Sequence, residues 1–276
     1  MNPTSTDMEA LKARMKATWM AGNFGLIAKS YETGAQHFVE RLQLQPGMRV
    51  LDVACGTGNL SIPAAKAGAT VTGIDIATNL LEQARANAKA EGLTAEFEEG
   101  DAENLPYPDA SFDAVVTMFG AMFAPRPELV ATELLRVCKP NGVIAMANWT
   151  ATGFIGQMFT MISKLVPPPD IPSPIQWGSE DIARERLGTG TELQFHRPHI
   201  ALKFPFAGKE LIEFWRQYYG PTNRAFAALA SSPEKQEALH NDLERLWTDH
   251  NQNTDGTTCV ESEYLEIHAI RQLCHE

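Results

Sequence analysis

The sequence predicts an α/β fold in which helices cover a doubly wound, mostly parallel sheet. Apolar runs alternate with helical patterns from Pro46 to about residue 150, as expected for strands joined by crossover helices. A glycine turn, Gly56-Thr57-Gly58, directly follows the first apolar run at residues 50–53. An acidic residue also stands at the end of each of the first three predicted strands. These observations indicate a Rossmann-like sheet with a ligand at its carboxyl edge.

The glycine turn is suited to hold a ligand against the backbone. Gly56 and Gly58 have no side chain that would keep a ligand away. The helix that begins near Ser61 presents unpaired N–H groups at its N-terminus. A tight strand-to-helix connection without any ligand has the same pattern, so the turn alone does not establish a nucleotide site.

Three acidic residues follow in register with the predicted strands. Asp52 lies at the end of the first predicted strand, Asp75 at the end of the second, and Asp101 at the end of the third. Asp75 lies 17 residues after Gly58, close to where a Rossmann unit places its ribose-binding carboxylate. One such acid alone would be interpreted as a surface charge at a strand end. Three in register favour a ligand site.

Residues 1–45 form the first predicted unit, an N-terminal helical lid. Asp7 caps its first helix, and a second helix is predicted over residues 26–42. The first helix has one apolar face, formed by Met8, Leu11, Met15 and Trp19.

Residues 46–150 form the predicted ligand-binding core. After the first strand, further strands are expected over residues 71–76, 95–102, 112–118 and 143–149. Strands and helices alternate over this range, the pattern of a parallel sheet with crossover helices.

After residue 150 the pattern changes. Residues 151–190 are predicted to be an insert or cap over the sheet edge, with a helix near 153–166 and a proline-rich segment at 167–174. Residues 191–276 are predicted to complete the sheet and to add helices on the ligand side.

The C-terminal unit contains two predicted strands and two predicted helices. The sixth strand is expected within residues 194–206, with an interruption at Pro198. Helices are expected over residues 209–219 and 222–251, and the last strand over 263–270.

Composition excludes several classes of protein. The formal net charge is −11, which argues against a nucleic-acid partner, since such a surface needs a basic face. No apolar run is long enough for a membrane span, and residues 1–7 contain no secretory signal. The cysteines lack Cys-x-x-Cys spacing, so neither a disulfide framework nor a metal site is expected, and the expected location is cytoplasmic. The four cysteines are Cys55, Cys138, Cys259 and Cys274.

Five motifs occur in the order and spacing of one enzyme family. They are residues 50–61, 72–76, 100–108, 111–116 and 136–143. In these motifs the chain resembles the class I S-adenosylmethionine-dependent methyltransferases. The Gly-Asp-Ala-Glu-Asn-Leu-Pro run that begins the third motif is similar to that of the subgroup containing the ubiquinone/menaquinone-biosynthesis C-methyltransferases. The resemblance covers about residues 20 to 150 well, and it specifies the cofactor more closely than the methyl acceptor.

The resemblance implies a seven-stranded sheet whose last strand runs antiparallel between the fifth and sixth. It also implies S-adenosylmethionine as cofactor. The backbone of Gly56-Thr57-Gly58 would pass beside the methionine moiety and the ribose, and Asp52 would lie near the amino group. The family often has glycine where this chain has Ala54, but alanine is common there in this subgroup, so binding is still expected.

For the adenosine half of the cofactor, the resemblance implies four contacts. Asp75 would accept from both ribose hydroxyls, and Ile76 would pack on the adenine face. Asp101 would accept from the adenine exocyclic amine, with the N–H of Ala102 nearby.

Two further residues and the acceptor complete the expected site. Tyr31 matches a subgroup pattern in which the N-terminal helix closes the cofactor pocket, although core packing also explains it. Met118 ends the fourth strand and is expected to be a cofactor-binding residue, at the point where the methyl group faces the acceptor. An apolar residue there suits either a hydrophobic small-molecule acceptor or a buried edge. The leaving group is a neutral thioether and needs no acid, so no catalytic residue is assigned. A monomer or homodimer is expected.

Three alternatives remain open from the sequence. A nicotinamide-dependent oxidoreductase would have the glycine loop and the acid after the second strand, but it would not explain Asp52 or Asp101. A nucleic-acid methyltransferase acting on exocyclic amines would have Asp/Asn-Pro-Pro-aromatic after the fourth strand, where this chain has Thr117 to Gly120. The third alternative is a non-catalytic protein that keeps the cofactor-binding fold.

Overall fold

The computed structural model describes residues 5–273, with side chains from Asp7 onward. Residues 1–4 and Cys274 lie outside this range, so the predictions about the N-terminal residues and about Cys274 remain predictions. The strands are β1 (Arg49–Val53), β2 (Thr70–Asp75), β3 (Ala95–Glu99), β4 (Phe112–Met118), β5 (Cys138–Trp149), β6 (Thr191–His196), β7 (His199–Phe204) and β8 (Thr258–Arg271).

All eight strands belong to one mixed sheet, in the order β3-β2-β1-β4-β5-β8-β6, with β7 also paired to β8. Neighbouring strands from β3 to β5 run parallel. Strand β8 runs antiparallel to both β5 and β6. The doubly wound sheet and the antiparallel last strand between the fifth and sixth are therefore confirmed.

The predicted strand count of seven is wrong, because the segment predicted as one sixth strand forms two. Strand β6 ends at His196 and β7 begins at His199, with Pro198 between them. Proline has no N–H to donate to a sheet ladder, so the chain changes partner register there. Strand β8 is long enough to pair with β6 through residues 266–271 and with β7 through 258–263.

Eleven α-helices accompany the sheet within residues 5–273, and none is long and apolar enough to cross a membrane. They are α1 (Ser5–Met20), α2 (Phe24–Ala28), α3 (Glu32–Arg41), α4 (Ser61–Lys66), α5 (Thr78–Ala90), α6 (Pro127–Val137), α7 (Phe154–Leu165), α8 (Glu180–Leu187), α9 (Gly208–Tyr218), α10 (Gly220–Ala228) and α11 (Pro233–His250).

Two predicted helices are each divided into shorter ones. The helix expected over residues 26–42 consists of α2 and α3, joined by a tighter 3₁₀ turn at Lys29–Tyr31. The helix expected over 222–251 consists of α10 and α11. Proline at position 233 starts α11, because the missing N–H of proline is tolerated only in a first helical turn.

The central strands are buried on both faces. Every residue of β4 but Asp113 is buried, and β1 is buried after Arg49. This near-continuous burial is typical of parallel strands covered by helices on both sides. The parallel pairing of β1, β2 and β4 brings their carboxyl ends to one edge of the sheet. Helix α1 lies near that edge, in contact with α5 and α10.

Candidate functional site

A cavity of about 560 Å³ lies at the carboxyl ends of β1, β2 and β4. The predicted site residues in its wall are Tyr31, Asp52, Ala54, Gly56, Thr57, Asp75, Ile76, Asp101, Ala102 and Met118. Gly58 is not part of the wall. It has a φ of +87°, and a Cβ there would lie 3.6 Å from the side chains of Ile62 and Ala84. Gly58 therefore lies on the side of the turn that packs against α4 and α5, while Gly56 and Thr57 face the cavity.

The glycine turn is tightly folded and closely packed. The N–H of Gly58 donates to the carbonyl of Cys55 at 2.9 Å, and Ala54 and Gly56 both have positive φ, +57° and +53°. The loop after β4 packs against this turn, because a Cβ at Gly120 would lie only 2.6 Å from the carbonyl oxygen of Ala54. Any larger residue at position 120 would push the two loops apart.

Asp52 is a fully buried carboxyl group at the end of β1. The hydroxyl of Ser61, at the start of α4, donates to its Oδ2 at 2.6 Å. Burial raises the pKa of Asp52 to about 7, and the nearby charge of Asp75 adds to this, while the hydrogen bonds from Ser61 oppose it. In the sequence Ser61 is only the last residue of the loop motif, and the structure shows that it orients Asp52.

Asp75 is held by backbone donors from two elements. The N–H of Gly56 donates to its Oδ2 at 2.9 Å, and the N–H of Ala77 donates to its Oδ1 at 2.8 Å. Burial raises the pKa of this carboxyl group, and the hydrogen bonds from Ala77 and Gly56 counteract the rise. The carboxylate therefore links the glycine turn to the start of α5 and has a defined orientation.

Asp101 is paired with a cation that the sequence analysis missed. Its carboxylate forms an ion pair with Lys12 of α1, and the N–H of Glu103 donates to it at 2.9 Å. One turn further along α1, Lys16 pairs with Glu99 of β3. Both lysines line the cavity. Their spacing of four residues places them on one helix face, but nothing in the local sequence identifies partners almost ninety residues away.

The wall beyond β4 is aromatic and includes a strained residue. Phe119 has a φ of +53°, which is unfavourable for a residue with a bulky side chain. Its ring stacks on Trp149 with a centroid separation of 3.5 Å. Tyr31 and Tyr264 form T-shaped contacts with this ring, with centroid separations of 5.8 and 5.4 Å. These packing contacts hold Phe119 in place at the end of β4, beside Met118.

Trp19 of α1 closes the aromatic end of the cavity. Its ring packs edge-on against Phe24, Phe123 and Tyr219, with centroid separations of 5.6, 5.0 and 6.2 Å. The cavity therefore has two chemically different ends. Carboxylates and lysines surround one end, and aromatic side chains surround the other.

No histidine of the described residues lines the cavity. His268 of β8 instead bonds the carboxylate of Glu266 at 2.9 Å, and Arg41 of α3 pairs with the same carboxylate. Burial alone would raise the pKa of Glu266, but the hydrogen bonds from His268 and Arg41 lower it to about 2. This network joins α3 to the sheet, and His268 does not line the cavity.

Comparison with known proteins agrees with this architecture. Residues 50–142 match the family described as a methyltransferase domain. The uncharacterized protein Rv1405c of Mycobacterium tuberculosis is 36% identical over 96% of this chain and 96% of its own length. Demethylmenaquinone methyltransferase of Desulfitobacterium hafniense is 31% identical over 55% of this chain and 68% of its own. The crystal structure of a SAM-dependent methyltransferase from Thermotoga maritima matches with a TM-score of 0.52 and 16% identity, over 90% of this chain and 93% of that chain.

The chain therefore belongs to the class I S-adenosylmethionine-dependent methyltransferases. It is an enzyme of that class, with S-adenosylmethionine as its cofactor. The oxidoreductase and the non-catalytic alternatives are not favoured by these similarities.

Proposed function

We propose that this chain transfers the methyl group of S-adenosylmethionine to a hydrophobic small-molecule acceptor. One observation carries the proposal: a single cavity has the residues predicted to bind adenosine at one end and aromatic side chains at the other. Asp75 and Asp101 mark the adenosine end, whereas Met118 and Phe119 mark the acceptor end. Donor and acceptor would then meet beside the ends of β1 and β4.

The adenosine and methionine moieties would contact groups that are already oriented. Asp75, held by two backbone N–H donors, would accept from both ribose hydroxyls, because a carboxylate matches a vicinal diol. Ile76 would pack on the adenine, and Asp101 would accept from its amine while it remains beside Lys12. Asp52 would face the amino group of the methionine moiety.

Positioning and exclusion of water would account for the catalysis. When bound, S-adenosylmethionine supplies an activated methyl group whose leaving group is a neutral thioether. The residues of the chain would align the acceptor with that group and keep the site dry, which removes much of the barrier of an in-line displacement. Expulsion of the thioether needs no acid, and a general base is needed only if the acceptor must lose a proton.

We propose that the N-terminal segment is the lid that excludes water. Lys12 and Lys16 tie α1 to the end of β3, and Trp19 covers the aromatic end. We expect S-adenosylhomocysteine to slow hydrogen exchange of the backbone amides in residues 19–31 and to leave α11 unchanged. Equal exchange in residues 19–31 with and without this ligand would show a static cap instead.

A similar protein supports a hydrophobic acceptor. The relative from Desulfitobacterium hafniense is a demethylmenaquinone methyltransferase, and demethylmenaquinone is a hydrophobic quinone. The aromatic wall formed by Trp19, Phe119 and Phe123 in this chain suits an acceptor of comparable polarity.

The proposal is tested by ligand binding to the purified chain. Isothermal titration calorimetry should show binding of S-adenosylhomocysteine and no binding of NADH. NADH is the control because a nicotinamide dehydrogenase shares the glycine turn and the acid after β2. Binding of NADH without binding of S-adenosylhomocysteine would contradict the proposal.

Cofactor affinity should depend on pH through Asp52. Burial raises the pKa of this carboxyl group to about 7, so it is mostly neutral at pH 6 and mostly ionised at pH 8. Only the ionised form attracts the ammonium group of S-adenosylhomocysteine, so affinity should rise by about tenfold from pH 6 to pH 8.

The Asp52→Asn variant provides the control for this pH effect. It keeps the size of the side chain and an oxygen that can accept from Ser61, but it removes the titrating proton. Its affinity should be weaker and nearly constant over the same pH range. An unchanged pH dependence in Asp52→Asn would show that another group is responsible.

A further inference from the structure

A second, much smaller pocket adjoins the aromatic end of the main cavity. Its volume is about 20 Å³, and Trp19, Phe24, Tyr31 and Phe119 line both spaces. Trp215 of α9 and Tyr219, the residue after α9, line the inner pocket but not the main cavity. A space of this size holds one water molecule or one oxygen-sized group. The shared aromatic residues place the inner pocket beside the main cavity, and its volume matches one oxygen-sized group of a ligand.

Trp215, in the wall of the inner pocket, has a buried donor without a partner among the described residues. The Nε1–H of Trp215 is buried, and none of the described residues accepts a hydrogen bond from it. An indole N–H can only donate, and leaving a buried donor unpaired is unfavourable. A bound oxygen in the pocket would satisfy this group.

The other polar groups of the pocket are uncharged. Burial raises the pKa of the hydroxyls of Tyr31 and Tyr219. The nearby Tyr31 raises the pKa of Tyr219 further. Both therefore stay protonated near neutral pH. No charged side chain of the described residues lines the inner pocket. A carboxylate or an ammonium group would lose its hydration there without gaining a counter-ion.

We propose that the methyl acceptor is an uncharged, hydrophobic ring compound with a carbonyl or hydroxyl oxygen that enters the inner pocket and accepts a hydrogen bond from Trp215. The ring would lie in the main cavity against Phe119 and Phe123. This inference rests on the proposed methyltransferase function and adds the chemical class of the acceptor. It also assigns Trp215 as a residue that determines acceptor specificity.

A pair of matched probes tests the proposal on the wild-type chain. 1-Tetralone and tetralin have the same fused-ring skeleton, but only 1-tetralone has a carbonyl oxygen. With the chain saturated by S-adenosylhomocysteine, calorimetry should show that 1-tetralone binds about tenfold more tightly than tetralin, the effect of one buried hydrogen bond. Phenyltrimethylammonium is the cationic probe and should bind more weakly than 1-tetralone.

Two tryptophan variants locate the effect. Trp215→Phe removes the N–H and keeps an aromatic ring, so the preference for 1-tetralone should disappear. Trp247→Phe is the matched control: Trp247 is also buried, lies 5.1 Å from Trp215 between ring centroids, and lines neither space. Its preference should equal that of the wild type.

Several results would overturn the proposal. They are equal affinities of the two probes, no binding of 1-tetralone, tighter binding of the cationic probe, or a preference that persists in Trp215→Phe. The wild-type comparison holds even if Trp215→Phe fails to fold. The first titration with S-adenosylhomocysteine separates this inference from the proposed function. Without that binding the methyltransferase assignment itself fails, whereas with it only the acceptor class is in question.

Discussion

Gly56→Val should reduce the affinity for S-adenosylhomocysteine by more than about a hundredfold, to below detection by calorimetry. Gly56 lines the cavity at a φ of +53°, and the nearest atom to a Cβ there is 3.9 Å away, in the ring of Phe24. The free chain therefore has space for a larger side chain at this position. A branched side chain would occupy the path of the cofactor, so binding should be lost through direct overlap.

The control for this prediction is Gly92→Val. Gly92 has a φ of +69° after α5, a Cβ at this position would have no atom within 4 Å, and the residue is absent from the cavity wall. Both substitutions force valine into a left-handed conformation, which costs about 1–2 kcal/mol of folding stability. The two variants should lose similar stability in thermal unfolding, but only Gly56→Val should lose binding. Near wild-type affinity of Gly56→Val would show that the loop does not approach the ligand.

Local sequence patterns predicted the half of the cavity that lies on the parallel strands. Strand β4 was expected over residues 112–118 and is found there. A short, mainly apolar segment bounded by turn residues favours a buried strand. The predicted acids Asp52, Asp75 and Asp101 also meet in one cavity. Parallel strands bring their carboxyl ends to the same edge, so residues far apart in sequence can be placed from topology alone.

The partners of those acids could not be predicted in the same way. Lys12 meets Asp101 only because α1 lies near the sheet edge, and that position depends on contacts with α5 and α10. The pairing has no local signal, since any lysine on an exposed helix face has the same pattern. Ser61 was visible in the motif, but its bond to Asp52 follows from the exact geometry of the turn.

The aromatic end was the least predictable part of the site. Trp19, Phe119 and Trp215 come from three elements separated by about a hundred residues each, and core packing is the usual interpretation of each residue. The left-handed conformation of Phe119 adds to the difficulty, because phenylalanine gives no indication of a positive φ. Tertiary packing decides these positions, since Phe119 stacks on Trp149 and Trp215 packs against Tyr219 and Trp247.

Asp75→Ala should weaken binding of S-adenosylhomocysteine by roughly ten- to a hundredfold, since it removes charge-assisted hydrogen bonds to the ribose. The carboxylate is buried and oriented by the N–H groups of Gly56 and Ala77, so it needs no rearrangement to accept from a diol. Calorimetry should show the loss mainly as reduced binding enthalpy. Unchanged affinity in a folded Asp75→Ala variant would disprove the ribose assignment.

Two variants serve as controls for Asp75→Ala: one keeps part of the support that Asp75 gives to the loop, and the other tests for an effect of net charge. Asp75→Asn keeps one acceptor oxygen, which can serve the N–H of either Gly56 or Ala77, and loses the charge, so its affinity should fall between those of the wild type and Asp75→Ala. Asp113→Ala removes another acid of the sheet, one that pairs with Lys139 and does not line the cavity. It should bind like the wild type. The ribose contact is specific to position 75, so a contact at that position predicts no loss in Asp113→Ala. An equal loss of affinity in both variants would show a general effect of net charge instead.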